Sequence, residues 1–582
     1  MVAAVDVRLR DATGPGGSDA YSLDGLVVVQ VSITWAHDPS DEAAERLDCP
    51  IVISPDRLEN PRWWRIAVVS VGALALITGI AIVDALRVGV FHDDAMYVIL
   101  ARSIASGQGY RYLNLPGAPA ATQHPPGYPA LLALVSWFAP AFPANVTVFK
   151  ILNAILGAAS AVLVTMFARS RALDPGWAVA LGVMSAVSIP TLILSSMVLS
   201  EPLFFLVIIA MLIAIEKFVE RESGSRRAIA IGVGIAACAL VRLNGIALLP
   251  ATLIVLAFKR RWRDAGIVTL ATVVTMLPWQ LLIATHTGVL PAPLRGDYES
   301  ASSWWLRGFH AHGPGVVLET IRRTVPEAIG QFAVLFSPLR GAWHSVTLIA
   351  LCALVIAGVI EVRRRMPATL LFLSGYLTIV VIWPFPPARF LWAIWPMFLL
   401  LIAAGANWAW RRIAAHGWRI NVEQLALLPP LTLLAAFAWV LVGYSGYELR
   451  GLRGKWWSVV SRSNAGRIAA EVAWIQANTS AGEVVASEDE GAVFLYTGRR
   501  TVPVHSLTPD VYLRDIPLIE SVREGLQPIL GAYPVSVVVA GSRNTAESAD
   551  ILVGSMPALL QPGVDFPGGV AYRVTSRSGL VR

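Results

Sequence analysis

Charge and cysteine are what this sequence has least of. Only 15% of its 582 residues are charged, where a soluble globular protein carries about a quarter, and 55% are hydrophobic, with a mean hydropathy of +0.61. Three cysteines, Cys49, Cys238 and Cys352, two of them inside apolar runs, leave no disulfide framework and no C-x-x-C metal site. The N-terminal segment lacks the apolar core and the cleavage site of a signal peptide. The net charge of +7 is carried between apolar runs and not on one polar face, which argues against a nucleic-acid partner.

What is there is apolar sequence, in runs of roughly 18–22 residues, the length that crosses about 30 Å of hydrocarbon at 1.5 Å per residue. Eleven spans are expected, at 66–86, 146–168, 175–195, 202–219, 227–241, 245–258, 265–285, 345–361, 367–384, 390–410 and 424–443. Alternate loops carry the bases: Arg169 and Arg171; Lys217, Arg221, Arg226 and Arg227; Lys259, Arg260, Arg261 and Arg263; Arg363, Arg364 and Arg365; Arg411, Arg412 and Arg419. The short connections on the other side carry only Arg242 and Arg389. The positive-inside rule then predicts a multi-pass protein of the cell membrane, in contact with lipid along its spans, with a cytoplasmic N-terminus. Loops 87–145 and 286–344, and with an odd span number residues 444–582, are expected outside.

This divides the chain into a polar, disordered cytoplasmic tail over 1–62, a membrane domain over 63–443 and an extracytoplasmic domain over 444–582. In the last, a helical pattern at 465–478 precedes a strand at 483–487 and a short helix ending at Thr497-Gly498. A second helix at 516–531 precedes the strand Val535–Ala540, and 570–574 reads as a final strand. Strands alternating with helices predict a small α/β domain. It has no glycine-rich phosphate loop and no nucleophile motif, which favours a structural or docking role.

The chemistry concentrates in the first outer loop. Asp93 and Asp94 open a predicted helix, where acidic side chains meet free N–H groups and the positive end of the dipole. Met96, Ile99, Leu100, Ser103 and Ile104 recur with helical spacing and predict an amphipathic helix on the outer membrane surface, this stripe toward lipid. Gly107 and Gly109 end it. One carboxylate suffices to cap a helix, so the pair leaves both capping and catalysis open.

Several short blocks carry a resemblance. His92-Asp93-Asp94-Ala95-Met96-Tyr97, then a Gly-x-Gly-Tyr turn, then His124-Pro125-Pro126-Gly127-Tyr128-Pro129, resemble the first outer loop of the GT-C glycosyltransferases. Within these the pattern is most similar to the lipid-A aminoarabinose transferase and protein O-mannosyltransferase superfamily. Ser200-Glu201-Pro202, Arg242-Leu243-Asn244-Gly245 and Pro387-Ala388-Arg389-Phe390, with Pro396 after it, resemble later blocks in the same order. Trp474-Ile475 and Tyr496-Thr497-Gly498-Arg499-Arg500 resemble outer domains of bacterial members.

The resemblance implies an α-helical polytopic membrane protein of GT-C fold over about 65–443, with a small C-terminal α/β domain. It implies an inverting transfer of a sugar from a polyprenyl-phosphate donor to a hydroxyl of a lipid, glycan or protein outside the cytoplasm. Asp93 aligns with the catalytic base and Asp94 with its acidic neighbour, while Glu201 is placed to orient acceptor or sugar. Arg389, Arg242 and His124 are the candidates for the leaving phosphate, with Tyr97 from the motif beside them and Arg102 as a further contact. His124 stands where several relatives carry lysine, and Met96 where the aminoarabinose transferases carry a basic residue; both departures bear on the donor head group. No cofactor is indicated: His310 and His312 with His92 have no fixed metal-ligand spacing, and Trp304-Trp305 suits either sugar stacking or an interfacial anchor. A transporter or flippase of lipid-linked sugar, which calls for midplane charges and internal symmetry, and a non-catalytic subunit of the same fold are the alternatives.

Overall fold

The computed structural model describes residues 2–11, 27–36, 45–53, 60–83, 87–139, 141–171, 173–336, 341–383, 385–416, 428–452, 459–506 and 518–575. Three N-terminal strands, β1 (Val2–Asp11), β2 (Val27–Ala36) and β3 (Glu45–Ile53), pair as an antiparallel meander. Helix α1 (Pro61–Ala81) follows, started by the Asn60 side chain accepting from Arg62 N and by a proline in its first turn.

Among the described residues, each of the eleven apolar runs lies largely on helix. After α2 (Asp93–Ala105) and α3 (Gly127–Phe138) come α4 (Asn145–Arg171), α5 (Pro175–Val187), α6 (Ile189–Ser196), α7 (Glu201–Glu220), α8 (Ser225–Val241), α9 (Leu248–Phe258) and α10 (Trp262–His286). The second long loop folds into α11 (Ala301–His312) and α12 (Gly315–Phe336). The bundle closes with α13 (Ala342–Val362), α14 (Pro367–Ile382), the short α15 (Ala388–Ala393), α16 (Trp395–His416) and α17 (Leu428–Leu452). Among the described residues six helices are long and apolar enough to cross a membrane, with α5 and α6, bent by 47°, making a seventh. The spans expected at 227–241 and 245–258 are separated, as expected, by extended backbone at Arg242, while the one expected at 390–410 breaks at Ile394. The first of these breaks carries Arg242.

Packing inside the bundle is close where side chains vanish. A Cβ on Gly358 of α13 would lie 2.0 Å from the Leu401 carbonyl oxygen of α16, and one on Gly405 would lie 2.2 Å from that of Leu354. In lipid, such backbone approach supplies the dispersion contact that solvent exclusion supplies in water.

The C-terminal domain starts with α18 (Val459–Asn478) and holds β4 (Val484–Ser487), α19 (Glu490–Thr497), β5 (Arg500–Val502), α20 (Leu518–Ala532), β6 (Val535–Ala540), α21 (Arg543–Ser555), β7 (Val564–Phe566) and β8 (Gly569–Arg573). The strand order is β5-β4-β6-β8-β7, with β5, β4 and β6 parallel and β8 antiparallel to both neighbours. Gly498 ends α19 in the left-handed region, φ 72°, where glycine carries no steric cost.

One expectation changes here. The α2 helix forms over the expected residues, but Met96, Ile99, Leu100 and Ser103 are fully buried in protein and do not face lipid. The helix α19 covers this side so closely that a Cβ on Gly491 would meet the Ala95 Cβ at 2.8 Å and the Met96 Cε at 3.2 Å. Periodicity identifies an apolar face but says nothing of what covers it.

Candidate active site

The first turn of α2 divides the work of its two acids. Asp94 is 2% exposed, and its carboxylate turns back on the chain, accepting from Gly89 N at 2.9 Å, Phe91 N at 3.2 Å and Ala95 N at 3.0 Å. Burial, acting against those three hydrogen bonds, pushes its carboxyl up to about 6. Asp94 therefore shapes the turn, and Asp93 is left to face the bundle with a side chain still 30% exposed.

Asp93 meets Arg389, supplied from 296 residues away by the start of α15: Nη1 donates to Asp93 Oδ2 at 2.6 Å. The same guanidinium donates through Nε to Glu201 Oε1, at the first residue of α7, at 2.5 Å. Arg242, at the break after α8, reaches that same Oε1 through Nη1 at 2.8 Å and donates to Ser200 Oγ at 3.0 Å. Ser200 Oγ shares a 3.0 Å hydrogen bond with the Tyr97 hydroxyl. Tyr97 in turn stands edge-on to His124 and to Tyr128, with ring centroids 5.2 and 5.1 Å apart. Tyr128 is anchored through Asn153, whose amide donates to the Met197 and Leu199 carbonyls just before Ser200. Asp93, Arg389, Glu201, Arg242, Ser200 and Tyr97 thus form one continuous network, with His124 packed on its edge.

The electrostatics follow from this order. Burial alone would raise the Asp93 carboxyl, but the Arg389 guanidinium, with His124 and His92 behind it, outweighs burial and holds the group well below the usual carboxylate range. His124 moves the other way: burial first, then His92, Arg389 and Arg242, overcome the attraction of Asp93 and bring the imidazole down to about 4. It is neutral at pH 7. Because the unfolded chain takes up this proton near pH 6.5 and the folded one only near 4, stability is expected to fall as pH drops through that window. Thermal unfolding of detergent-solubilised protein at pH 5 and 7 is expected to show a smaller loss for His124→Gln than for the parent. An identical pH response in both would refute the assignment.

Three buried polar atoms of the cluster have no hydrogen-bond partner: Arg389 Nη2, His124 Nε2 and Glu201 Oε2. Since well over nine in ten buried polar groups are paired in folded proteins, three orphans in one cluster mark a place for a polar ligand.

Arg102 lies apart from this network, its guanidinium over the Phe494 ring of α19 at 5.9 Å. Trp304 is buried against Trp305 and Phe385, and His310 bonds its own helix through the Leu306 carbonyl. Sequence reasoning missed Glu490, at the start of α19. It accepts from the Tyr298 hydroxyl at 2.9 Å, and its Oε1 lies 3.6 Å from His92 Nδ1, next to Asp93. Although burial alone would lower the His92 imidazole, Glu490, Asp93, Asp297 and Asp94 raise it above its ordinary value. The Tyr496–Arg500 block explains its own presence: the Tyr496 hydroxyl accepts from Val88 N at 3.1 Å, and Arg500 donates to the Leu113 carbonyl. The C-terminal domain is thereby seated on the loop that carries Asp93.

No protein-family model matches the sequence, and no curated protein matches it. Solved structures do. The crystal structure of ArnT from Cupriavidus metallidurans bound to undecaprenyl phosphate superposes on 89% of this chain and 99% of its own, with a TM-score of 0.51 at 14% identity. The apo form of the same protein superposes on 88% and 98%, with a TM-score of 0.50 at 13% identity. The chain has the GT-C fold. Because the superposition covers nearly the whole of the ArnT chain, the GT-C likeness takes in the C-terminal domain as well as the bundle. In this GT-C chain the network of Asp93, Arg389 and Glu201 gathers at the N-terminal ends of α2, α7 and α15.

Proposed function

We propose that the protein is an inverting glycosyltransferase. It moves a sugar from a polyprenyl-phosphate donor to an acceptor hydroxyl on the extracytoplasmic face, with Asp93 as general base. The observation that carries this reading is the juxtaposition of Asp93 with Arg389, a guanidinium that holds the carboxylate through Nη1 and leaves Nη2 buried and unpartnered. A phosphate oxygen at Nη2 would satisfy that orphan, and His124 Nε2 is a second unpartnered atom at the edge of the same network. The fold is shared with ArnT, crystallised with undecaprenyl phosphate.

In the reaction, the acceptor oxygen attacks the anomeric carbon and its proton passes to Asp93. The bond from that carbon to the phosphate oxygen breaks, and the electron pair leaves on the lipid phosphate. Arg389 and Arg242 stabilise the developing charge, each by about 4 kcal/mol for a pair 4 Å apart at an effective dielectric of ~20. In the resting protein Arg389 weakens Asp93 as a base. A phosphate that shares the guanidinium weakens that hold, so donor binding raises the basicity of Asp93 where the acceptor needs it. Glu201 keeps Arg389 and Arg242 in place, and Ser200, itself bonded to the Tyr97 hydroxyl, meets the same Arg242 Nη1.

The test uses the full-length protein in sealed vesicles without any ion gradient, supplied with polyprenyl-phosphate-linked mannose or arabinose and an envelope lipid extract as acceptor. The expected outcome is loss of the sugar from the donor and its appearance on an acceptor with inverted anomeric configuration. Movement of intact donor across the bilayer without cleavage would identify a flippase, and bound but uncleaved donor a non-catalytic subunit. Mass analysis of envelope glycolipids and glycoproteins from cells with and without the protein names the acceptor.

A further inference from the structure

The backbone is strained one residue before Asp93. His92 lies at φ 57° and ψ −63°, the γ-turn of positive φ, which is the rare and unfavourable form. Asp93 N closes the turn by donating to the Phe91 carbonyl at 2.6 Å. A residue with a Cβ persists in that region only where its surroundings impose it. Helix α2 starts from this turn, since the His92 carbonyl accepts from Ala95 N and Met96 N at 3.0 and 3.1 Å. The turn therefore sets the direction of the first helical side chain, which is Asp93.

The surroundings that impose it come from the C-terminal domain. The first turn of α19 is moulded to this loop: a Cβ on Gly89 would run into the Ala492 Cβ, as one on Gly491 would meet Ala95. Glu490, the first residue of α19, is buried and places Oε1 3.6 Å from His92 Nδ1. The Tyr298 hydroxyl holds that same oxygen and accepts in turn from the Asn114 amide at 3.0 Å. Glu490 Oε2 has no hydrogen-bond partner. A buried carboxylate is costly without a cation, and protonated His92 supplies one.

The titratable groups that face His92 are Glu490 on α19, Asp93 and Asp94 on α2, Asp297 ahead of α11, His124 in the first outer loop and His505 after β5. The four acids together outweigh burial and favour the imidazolium. His505 does not compete for the charge: burial first, then His92, bring its imidazole down to about 4.

We propose that Glu490 is a positioning residue: by pairing with the His92 imidazolium it holds the strained turn that aims Asp93 at Arg389, so that the C-terminal domain completes the active site. The inference rests on the transferase reading and adds to it a residue that acts through His92 and not on the substrate.

The experiment measures sugar transfer from polyprenyl-phosphate-linked mannose or arabinose by the full-length protein in vesicles, together with thermal unfolding, for the parent, Glu490→Gln, His92→Ala and His92→Gly. Glu490→Gln keeps an acceptor for Tyr298 and removes the charge that pairs with His92. It is expected to lower kcat about tenfold with KM for the donor unchanged, because misplacing a reacting group is felt in the rate. Glycine takes positive φ without steric cost, so His92→Gly is expected to exceed His92→Ala about tenfold in kcat. On the glycine background Glu490→Gln is expected to change kcat less than twofold. Since the pairing needs the imidazolium, parental kcat is expected to fall as pH rises through the raised His92 value. That alkaline limb is expected to be missing from His92→Gly, a comparison that needs no Glu490 variant to fold.

Equal kcat in His92→Ala and His92→Gly, or an unchanged alkaline limb in His92→Gly, would overturn the proposal while leaving Asp93 as the base. So would a tenfold loss from Glu490→Gln that persists on the glycine background, since Glu490 would then act by another route. Lowered thermal stability in Glu490→Gln with parental kcat and pH profile would reduce Glu490 to a structural contact and overturn the proposal too. A parent protein that transfers no sugar would overturn the transferase reading, and this inference with it.

Discussion

Asp93→Asn is expected to reduce sugar transfer by about a hundredfold to ten-thousandfold, the range that a positioned general base contributes, with little change in folding. The amide is isosteric with the carboxylate and keeps an oxygen to accept from Arg389 Nη1, so the 2.6 Å contact has a substitute. What it loses is the ability to take the acceptor's proton. The fall is therefore expected in kcat, with donor affinity preserved, and thermal unfolding is expected to stay close to the parent. Asp94→Asn offers the contrast: that carboxylate serves three backbone N–H groups, and its loss is expected to register as lowered stability. Transfer at the parental rate by Asp93→Asn would remove Asp93 from the mechanism.

Arg389→Met carries the other large effect. The methionine approximates the side chain's length without its charge, so Asp93 and Glu201 both lose the guanidinium that bridges them. A transition-state interaction of about 4 kcal/mol, the Coulomb energy of a charge pair 4 Å apart at an effective dielectric of ~20, corresponds to several hundred-fold in rate. A loss of that order in kcat is expected, together with weaker binding of bare polyprenyl phosphate. Arg389→Lys is expected to recover only a minor part, because an ammonium cannot hold two carboxylates and a phosphate in one planar fork. Steady-state kinetics with parallel lipid-binding measurements check both variants. Full recovery in Arg389→Lys would mean that charge alone matters, and activity within threefold of the parent in Arg389→Met would exclude Arg389 from phosphate stabilisation.

The two variants probe residues 296 positions apart in the chain, and that distance separates what the sequence determines from what it does not. Apolar runs, loop charges and helix stops are local properties, so the helices were legible from hydropathy alone. The same holds for the strand at Val535–Ala540 and the short helix that ends at Gly498. The pieces that escaped notice include the N-terminal strands β1 to β3, the helices α3, α11 and α12, and, in the C-terminal domain, α21 and the strands β5 and β7, three residues each and too short to show a period.

The candidate site divides in the same way. Spacing and resemblance singled out Asp93, Glu201, Arg242, Arg389 and His124, but could not say that one guanidinium joins two carboxylates. Nor could they say that Asp94 is spent on its own turn. Arg102, named beside them, packs on Phe494, and Glu490, with no motif around it, arrives beside His92 from the C-terminal domain.

The scarcity of charge in this chain, and the placing of bases between apolar runs, by themselves determined a helical membrane bundle. Tertiary structure alone decided which few charges meet, because a buried ion pair depends on the packing of helices that the chain order keeps far apart. The same packing decided that the apolar stripe of α2 is covered by protein. An apolar face is equally satisfied by lipid or by a neighbouring domain, and only the seating of the C-terminal domain chooses between them.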